Sequence, residues 1–220
     1  MIVGIPHYHD IYGLIKCIDS LLASTSSIDV ITIINSDHYL DGQKLIDDYG
    51  KIEIINTPKL GPLDAYNRLF ELAKERKEDL FLTQTDVTFP KCYNRDWLDD
   101  MKRTAKIDAC GIVTCYGGGG QSGPDFIDGY NWVGAWCTYI PYRTIEKIGG
   151  YDMNIPLGWG VDIDYTYAVE MAGLKVYVIN YWVDHHPNYK EGHKHEKRDD
   201  LEKLQKEAFT YMRKKWKLER

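Results

Sequence analysis

Four short apolar runs, each followed by a polar turn, punctuate the first 86 residues, and this alternation constrains the fold more than any other feature. "IVGIP" (2–6), "IDVITIIN" (28–35), "KIEIIN" (51–56) and "DLFLTQTD" (79–86) are rich in β-branched residues and predict strands. The segments between them carry helical periodicity: Ile11–Leu22, a stretch around Asp41–Tyr49, and Leu63, Tyr66, Phe70 and Ala73. Strands alternating with helices of this length predict an α/β domain with a mostly parallel central sheet. Such sheets bind ligands beyond the carboxyl ends of their strands. The segments to inspect are therefore "PHYHD" (6–10), "NSD" (35–37), "NTPKLG" (56–61) and "QTD" (84–86).

The second half changes character. "IDACGIVTC" predicts a strand leading into "GGGG" (117–120), which has no helix after it and reads as a surface loop rather than a phosphate cradle. "WVGAWCTYIPYRTIEKIGGYD" predicts a strand and a short helix. "GWGVDIDYTYAVEMAG" (158–173) predicts a helix ended by Gly173, and "LKVYVIN" a last strand. "DHHPNYKEGHKHEKRDD" reads as a polar loop after that strand. In the tail, Leu201, Leu204, Ala208, Tyr211 and Met212 share a helical face, with Trp216 one turn on. The expected organisation is one domain over 1–190 and a basic loop and amphipathic helix over 191–220.

Charge narrows the partners. The net charge of −6 argues against a nucleic-acid surface. From Lys194 onward, ten Lys and Arg stand against six Asp and Glu, leaving 17 against 27 elsewhere. A basic, Trp-bearing helix suits an anionic membrane surface, or else packs its apolar face on the domain or a second subunit. No run of 18 apolar residues predicts a membrane span, and "MIVGIPHYHD" does not have the pattern of a secretory signal. Cys17, Cys92, Cys110, Cys115 and Cys137 are scattered and predict buried, reduced thiols in a cytoplasmic protein. His185, His186, His193 and His195 lack the spacing of a structural zinc site.

Neither G-x-G-x-x-G nor G-x-x-x-x-G-K-[ST] is present, which removes the common dinucleotide and P-loop motifs. Asp86, ending a buried strand, offers a hard oxygen ligand for Mg²⁺ or Mn²⁺, or caps the turn that follows. Asp162 and Asp164 open a helix between Trp159 and the pair Tyr165 and Tyr167. Carboxylates there either cap the helix or do chemistry among aromatic neighbours.

In this order the segments resemble the family 2 glycosyltransferases of the GT-A fold, the Rossmann-like nucleotide-diphospho-sugar transferases. The likeness runs through "IVGIPHYHD", "GPLDAYNRLFELA", "LFLTQTDVTFP", "VGAWCTYIPYRTIEKIGGYD", "GWGVDIDYTYAVEMAGLKV" and "VDHH". "RKKW" is similar to the C-terminal Lys-Trp of rhamnosyltransferase-like members. The resemblance implies an inverting, metal-dependent, hexosyltransferase-like enzyme. It would move a sugar from a UDP- or dTDP-linked donor to a hydroxyl of a glycan, lipid-linked or protein acceptor. Pro6, His7, Tyr8, Asn35 and Asp37 would border the nucleotide base, Gly61 and Asn67 the nucleoside, and Gln84, Thr85 and Asp86 the diphosphate. Asp86 and His185 would hold Mn²⁺ or Mg²⁺. Asp162 would be the general base. Gly134, Ala135 and Trp159 would border sugar and acceptor, with Asp164 anchoring the helix start on that side. Five positions depart from the family pattern: Gln84 replaces the first acid of Asp-x-Asp, Val161 a Glu, Asn35 an Asp, and His7 and His9 the usual Thr and Asn. The alternatives are a non-catalytic nucleotide- or glycan-binding relative and, less well matched by "PHYHD", a nucleotidyltransferase.

Overall fold

A computed structural model describes residues 1–36, 40–58, 61–91, 95–117, 125–127, 130–134, 136–156, 160–185 and 201–217. Asp37, Ala135, Trp159, His186 and most of the "GGGG" loop, all singled out above, lie outside them. The first half follows the expected alternation. β1 (Ile2–His7), α1 (Ile11–Ser24), β2 (Ile31–Asn35), α2 (Gly42–Tyr49), β3 (Ile52–Asn56), α3 (Pro62–Arg76) and β4 (Leu80–Thr83) come in order. Their helices start where carboxylates can meet orphan amides. Asp10 accepts from the Gly13 amide and Asp41 from the Lys44 amide. Then come β5 (Val87–Thr88), α4 (Trp97–Thr104), β6 (Cys110–Gly117), β7 (Asp125–Ile127), β8 (Tyr130–Trp132) and β9 (Cys137–Ile140). The chain continues through α5 (Tyr142–Ile148), α6 (Val161–Met171), β10 (Lys175–His185) and α7 (Leu201–Lys215).

Eight strands form one mixed sheet in the order β3-β2-β1-β4-β9-β6-β10-β5. β1 is parallel to β2 and β4, and β2 to β3. β9 runs antiparallel to both β4 and β6, and β6 is parallel to β10. It follows that β1, β2, β4, β6 and β10 all point their carboxyl ends to one edge, where β9 begins. α6 leads back to the start of β10, so its N-terminus lies at that edge too. The topology alone gathers His7, Asn35, Asp86, Trp136, Asp162 and His185 on one side of the molecule.

The sheet separates two apolar layers. On one face, Leu14, Cys17, Ile18 and Leu21 of α1 meet Trp97, Leu98 and Met101 of α4. Trp97 is the hub there: its ring stacks on Phe89 at 5.2 Å and on Tyr181 at 5.0 Å, and its indole N–H donates to Ser24 Oγ at 3.1 Å. On the other face, α3, α5 and α6 bury Leu69, Phe70, Ile145, Tyr165 and Val169.

One expectation needs correction, and the structure bears on a second. The last strand does not stop before the "DHH" segment. It runs to His185, because Tyr181 and Val183 point into the core and Asp184 and His185 pair antiparallel with Thr88 and Val87 of β5. His185 is therefore a strand residue, not a loop residue. The tail helix lays part of its apolar face on the domain. Ala208 and Met212 are fully or nearly buried in the α3–α5–α6 layer, which leaves Lys203, Lys206, Arg213, Lys214 and Lys217 facing outward. The alternative of packing on the domain is the one realised.

Candidate active site

At the tips of β1 to β3, side-chain amides and an imidazole replace the charges commonly found in such crevices. His7 and Asn35 are buried, with His7 Nδ1 3.1 Å from Asn35 Oδ1, and the Asn35 amide N–H donates to Asn56 Oδ1 at 2.8 Å. Pro6 is half-buried beside them, and Tyr8 projects into solvent. Ser36 continues the row, with its hydroxyl 3.1 Å from that of Thr57. Gly61 opens α3 as an exposed N-cap, where its amide donates to Asp64.

The β4 end carries the acidic group. Asp86 is 9% exposed, and its Oδ1 is buried without a hydrogen-bond partner among the described residues. Its Oδ2 lies 3.4 Å from His185 Nε2, brought there by the β5–β10 register. A buried carboxylate oxygen with no donor is costly unless something positive satisfies it. One carboxylate and one imidazole suit Mg²⁺ or Mn²⁺, which complete their shell with water and substrate phosphates. No cluster of three or more His, Cys, Asp or Glu exists among the described residues, which offer such a centre these two ligands.

His185 is oriented from behind. The Trp136 ring stacks on it with centroids 5.9 Å apart and planes 22° apart. Two glycines make room for that indole. A Cβ on Gly134 would stand 1.8 Å from Trp136 Nε1, and one on Gly117 would stand 2.8 Å from Cη2. Gly134 therefore serves the site through Trp136. Its carbonyl also accepts from Thr138 Oγ at 2.9 Å.

Asp162 sits in the first turn of α6, half-buried, with its Oδ1 accepting the Ile163 amide at 3.0 Å. Tyr66 of α3 feels the charge of both this carboxylate and Asp86. Burial pushes its phenol up, and the charges of Asp86 and Asp162 add to that, against a lowering hydrogen bond from Gln84. The Gln84 amide N–H donates to the Tyr66 oxygen at 2.6 Å, and Thr85 follows in the half-buried turn to Asp86. Tyr151 is likewise pushed up by burial, then by Tyr66 and Asp162. A neutral phenol beside two carboxylates can donate a hydrogen bond but cannot act as a base at neutral pH. Among the described residues the thiols are poor nucleophiles: Cys17, Cys110, Cys115 and Cys137 are buried, and burial raises the thiols of Cys17, Cys110 and Cys137, while Cys92 lies outside those residues.

Two expected site residues have partners within the protein. The Asn67 amide faces the Tyr151 backbone, donating to its carbonyl at 2.9 Å and accepting its N–H at 2.7 Å, so it latches α3 to the segment that holds Tyr151. Asp164 is 4% exposed, and both its oxygens are taken by α7. Lys215 Nζ lies at 2.7 Å from Oδ2 and the Trp216 indole N–H at 2.7 Å from Oδ1, so Asp164 ties the start of α6 to the end of the chain's last helix. Conversely, Trp136 and Tyr66 bear on the site without having been singled out. Tyr66 had only a core-helix spacing, and nothing local to "WVGAWC" signals a ring lodged between Gly117 and Gly134.

No protein-family model and no curated protein sequence matches the chain. Solved structures do. The chain superposes over its whole length, at TM-score 0.70 and 12% identity, on 64% of a mannosyltransferase, PcManGT from Pyrobaculum calidifontis, in complex with GDP-Man and Mn²⁺. Over 84% of its length it matches 43% of GalNAc-T7 with UDP, GalNAc and Mn²⁺, at TM-score 0.64 and 12% identity. It also matches 60% of S. aureus TarS 1–349 over 84% of its length, at TM-score 0.62 and 12% identity. In each case the chain spans less than two thirds of the other. The likeness establishes the GT-A-type α/β fold expected from the sequence.

Proposed function

We propose that the protein is an inverting glycosyltransferase of family 2 type, transferring a hexose from a UDP- or dTDP-linked donor to an acceptor hydroxyl. The observation that carries this reading is the Asp86–His185 pair, with one carboxylate oxygen buried and unpartnered among the described residues, at the edge where the sheet's carboxyl ends meet. Two proteins of the same fold bind Mn²⁺ and a nucleotide or nucleotide sugar.

In this reading the nucleotide base rests at the β1–β3 tips against Pro6, Tyr8 and the His7–Asn35 pair, with Asp37 nearby. Gln84 and Thr85 border the diphosphate. Asp86 and His185 hold Mn²⁺ or Mg²⁺, which supplies a Lewis acid for the charge that builds on the departing diphosphate. Asp162 accepts the proton of the acceptor hydroxyl as that oxygen attacks the anomeric carbon. The new carbon–oxygen bond forms opposite the breaking bond to phosphate, so the anomeric centre inverts and the nucleoside diphosphate leaves. Base catalysis of this kind contributes about 10²–10⁴-fold. Ala135 and Trp159 belong to the acceptor side, whose chemistry is that of a glycan, lipid-linked or protein hydroxyl.

Calorimetry with UDP, dTDP and GDP, in Mn²⁺ and in EDTA, tests the assignment on wild type and Asp86→Ala. Tight binding of one uridine or thymidine nucleotide, dependent on metal and weakened at least about tenfold in Asp86→Ala, is the expected result. Asp162→Asn should bind as wild type does and turn over about 10²–10⁴-fold more slowly. No binding of any nucleotide under either condition would refute the donor site and favour a glycan-binding relative.

A further inference from the structure

The start of α6 is built without the usual side-chain cap. Gly160 occupies the N-cap with φ 76° and offers no side-chain hydrogen bond. The first turn, which carries Asp162, thus has no side-chain hydrogen bond from its N-cap residue. α7 supplies anchors from 50 residues further along the chain. Lys215 Nζ and the Trp216 indole N–H together occupy both oxygens of Asp164, each at 2.7 Å. Met212 Cε fills the space beside Gly160, 2.9 Å from where a Cβ would stand, and the Trp216 ring meets Tyr167 edge-on at 4.8 Å.

The same ammonium reaches the neighbouring segment. Lys215 Nζ lies 2.8 Å from Asp152 Oδ2, which also accepts from the Tyr211 hydroxyl at 2.9 Å. One residue before Asp152, Tyr151 is fixed by Asn67 and lies under the influence of Asp162. The end of α7 thus cross-links the two segments that bracket Asp162. Partial burial works against the Lys215 charge, but the two carboxylates outweigh it and raise its pKa.

We infer that Lys215 and Trp216 are positioning residues for Asp162: they hold the first turn of α6 in the geometry that aims the base. The part concerning turnover rests on the transferase reading given above; the part concerning the α6 turn does not. Asp164 acts through these partners and does not touch the reacting groups.

Hydrogen exchange, nucleotide calorimetry and transfer kinetics on Lys215→Met, Lys215→Arg and Trp216→Phe separate the possibilities. In Lys215→Met and Trp216→Phe, the Asp164 amide, which donates to the Gly160 carbonyl at 2.9 Å, should exchange about tenfold faster, while Ile5 and Ile33 in the central strands keep their protection. Turnover should fall about tenfold, with nucleotide affinity and donor KM unchanged, and Lys215→Arg should restore most of it. In an Asp162→Asn background, Lys215→Met should have no further effect on turnover. Unchanged exchange at Asp164 overturns the inference whatever the activity. So does faster exchange spread over the central strands, or a loss of nucleotide affinity equal to the loss of turnover. A wild type that binds no nucleotide refutes the transferase reading alone, and the exchange measurement still decides the latch.

Discussion

Replacing Gly134 by Ala should damage metal binding through two layers of side chains. The added methyl would sit 1.8 Å from Trp136 Nε1, 2.4 Å from Cδ1 and 2.6 Å from Cε2, far inside contact distance. The indole is 4% exposed and has Gly117 against its other end, so no small rotation relieves the clash. Overpacking a filled core costs about 1–3 kcal/mol, and contacts this short place Gly134→Ala near the upper figure, about 3 kcal/mol. Gly117→Ala meets ring carbons at 2.8 and 3.1 Å, and a strand alanine regains about 0.5–1 kcal/mol over glycine, so its net cost should be about 1 kcal/mol. Displacing the indole also removes its stacking on His185. Such support is worth about 10–100-fold in metal affinity, so Mn²⁺-dependent nucleotide binding should weaken at least about tenfold. Urea denaturation gives the stability change, and calorimetry in Mn²⁺ gives the affinity. Gly134→Ala in a Trp136→Leu background should cost little more than Trp136→Leu alone. A Gly134→Ala protein within about 0.5 kcal/mol of wild type would show that the ring is not held between the glycines, and the reasoning fails.

Other perturbations reach other parts of the fold. Trp97→Ala should cost about 3–5 kcal/mol in urea denaturation, because it removes two stacked ring contacts and the indole's hydrogen bond to Ser24 Oγ in the core. Asn67→Ala breaks two hydrogen bonds to the Tyr151 backbone and should destabilise by about 1–3 kcal/mol, with a smaller effect on nucleotide affinity than on turnover. In acid, the α7 contact should weaken. Partial burial of Asp152 is outweighed by Lys215, the Asn154 amide and the Tyr211 hydroxyl, which hold its carboxyl at about 2 against an ordinary 3.8. The stabilisation is thus complete above pH 3.8 and lost as pH falls through about 2; after solvent screening it amounts to about 1 kcal/mol. Trp216 fluorescence should report that loss in wild type over this range, and Asp152→Asn should remove the dependence.

The strands of the first half were legible because their β-branched runs are continuous and their helices start on Asp10 and Asp41, both local signals. The polar tips of those strands were legible for the same reason, since a parallel sheet fixes where its carboxyl ends lie. The order β4-β9-β6-β10 was not, because pairing between distant strands leaves no mark within a single run. His185 was read as a loop residue: polarity in "DHH" hid the alternation of Tyr181, Trp182 and Val183 that carries β10 onward. Side-chain partners escaped as well. Asn67 and Asp164 had the right type and place for a ligand site, yet their hydrogen bonds run to Tyr151 and to Lys215 and Trp216, which only the folded chain brings near. Asp86 and Asp162 stood out because a carboxylate at a buried strand end or helix start is conspicuous in any sequence.

The short pairing of β5 with the tip of β10 has a consequence for how the protein matures. Asp86 and His185 are separated by most of the later half of the chain and meet only through that antiparallel register. A fragment ending before β10 contains Asp86 and lacks His185, however well its first strands are formed. On the proposed reading, divalent-ion binding at this pair would be a property of the finished sheet, and on a nascent or truncated chain its onset would mark the arrival of the last strand.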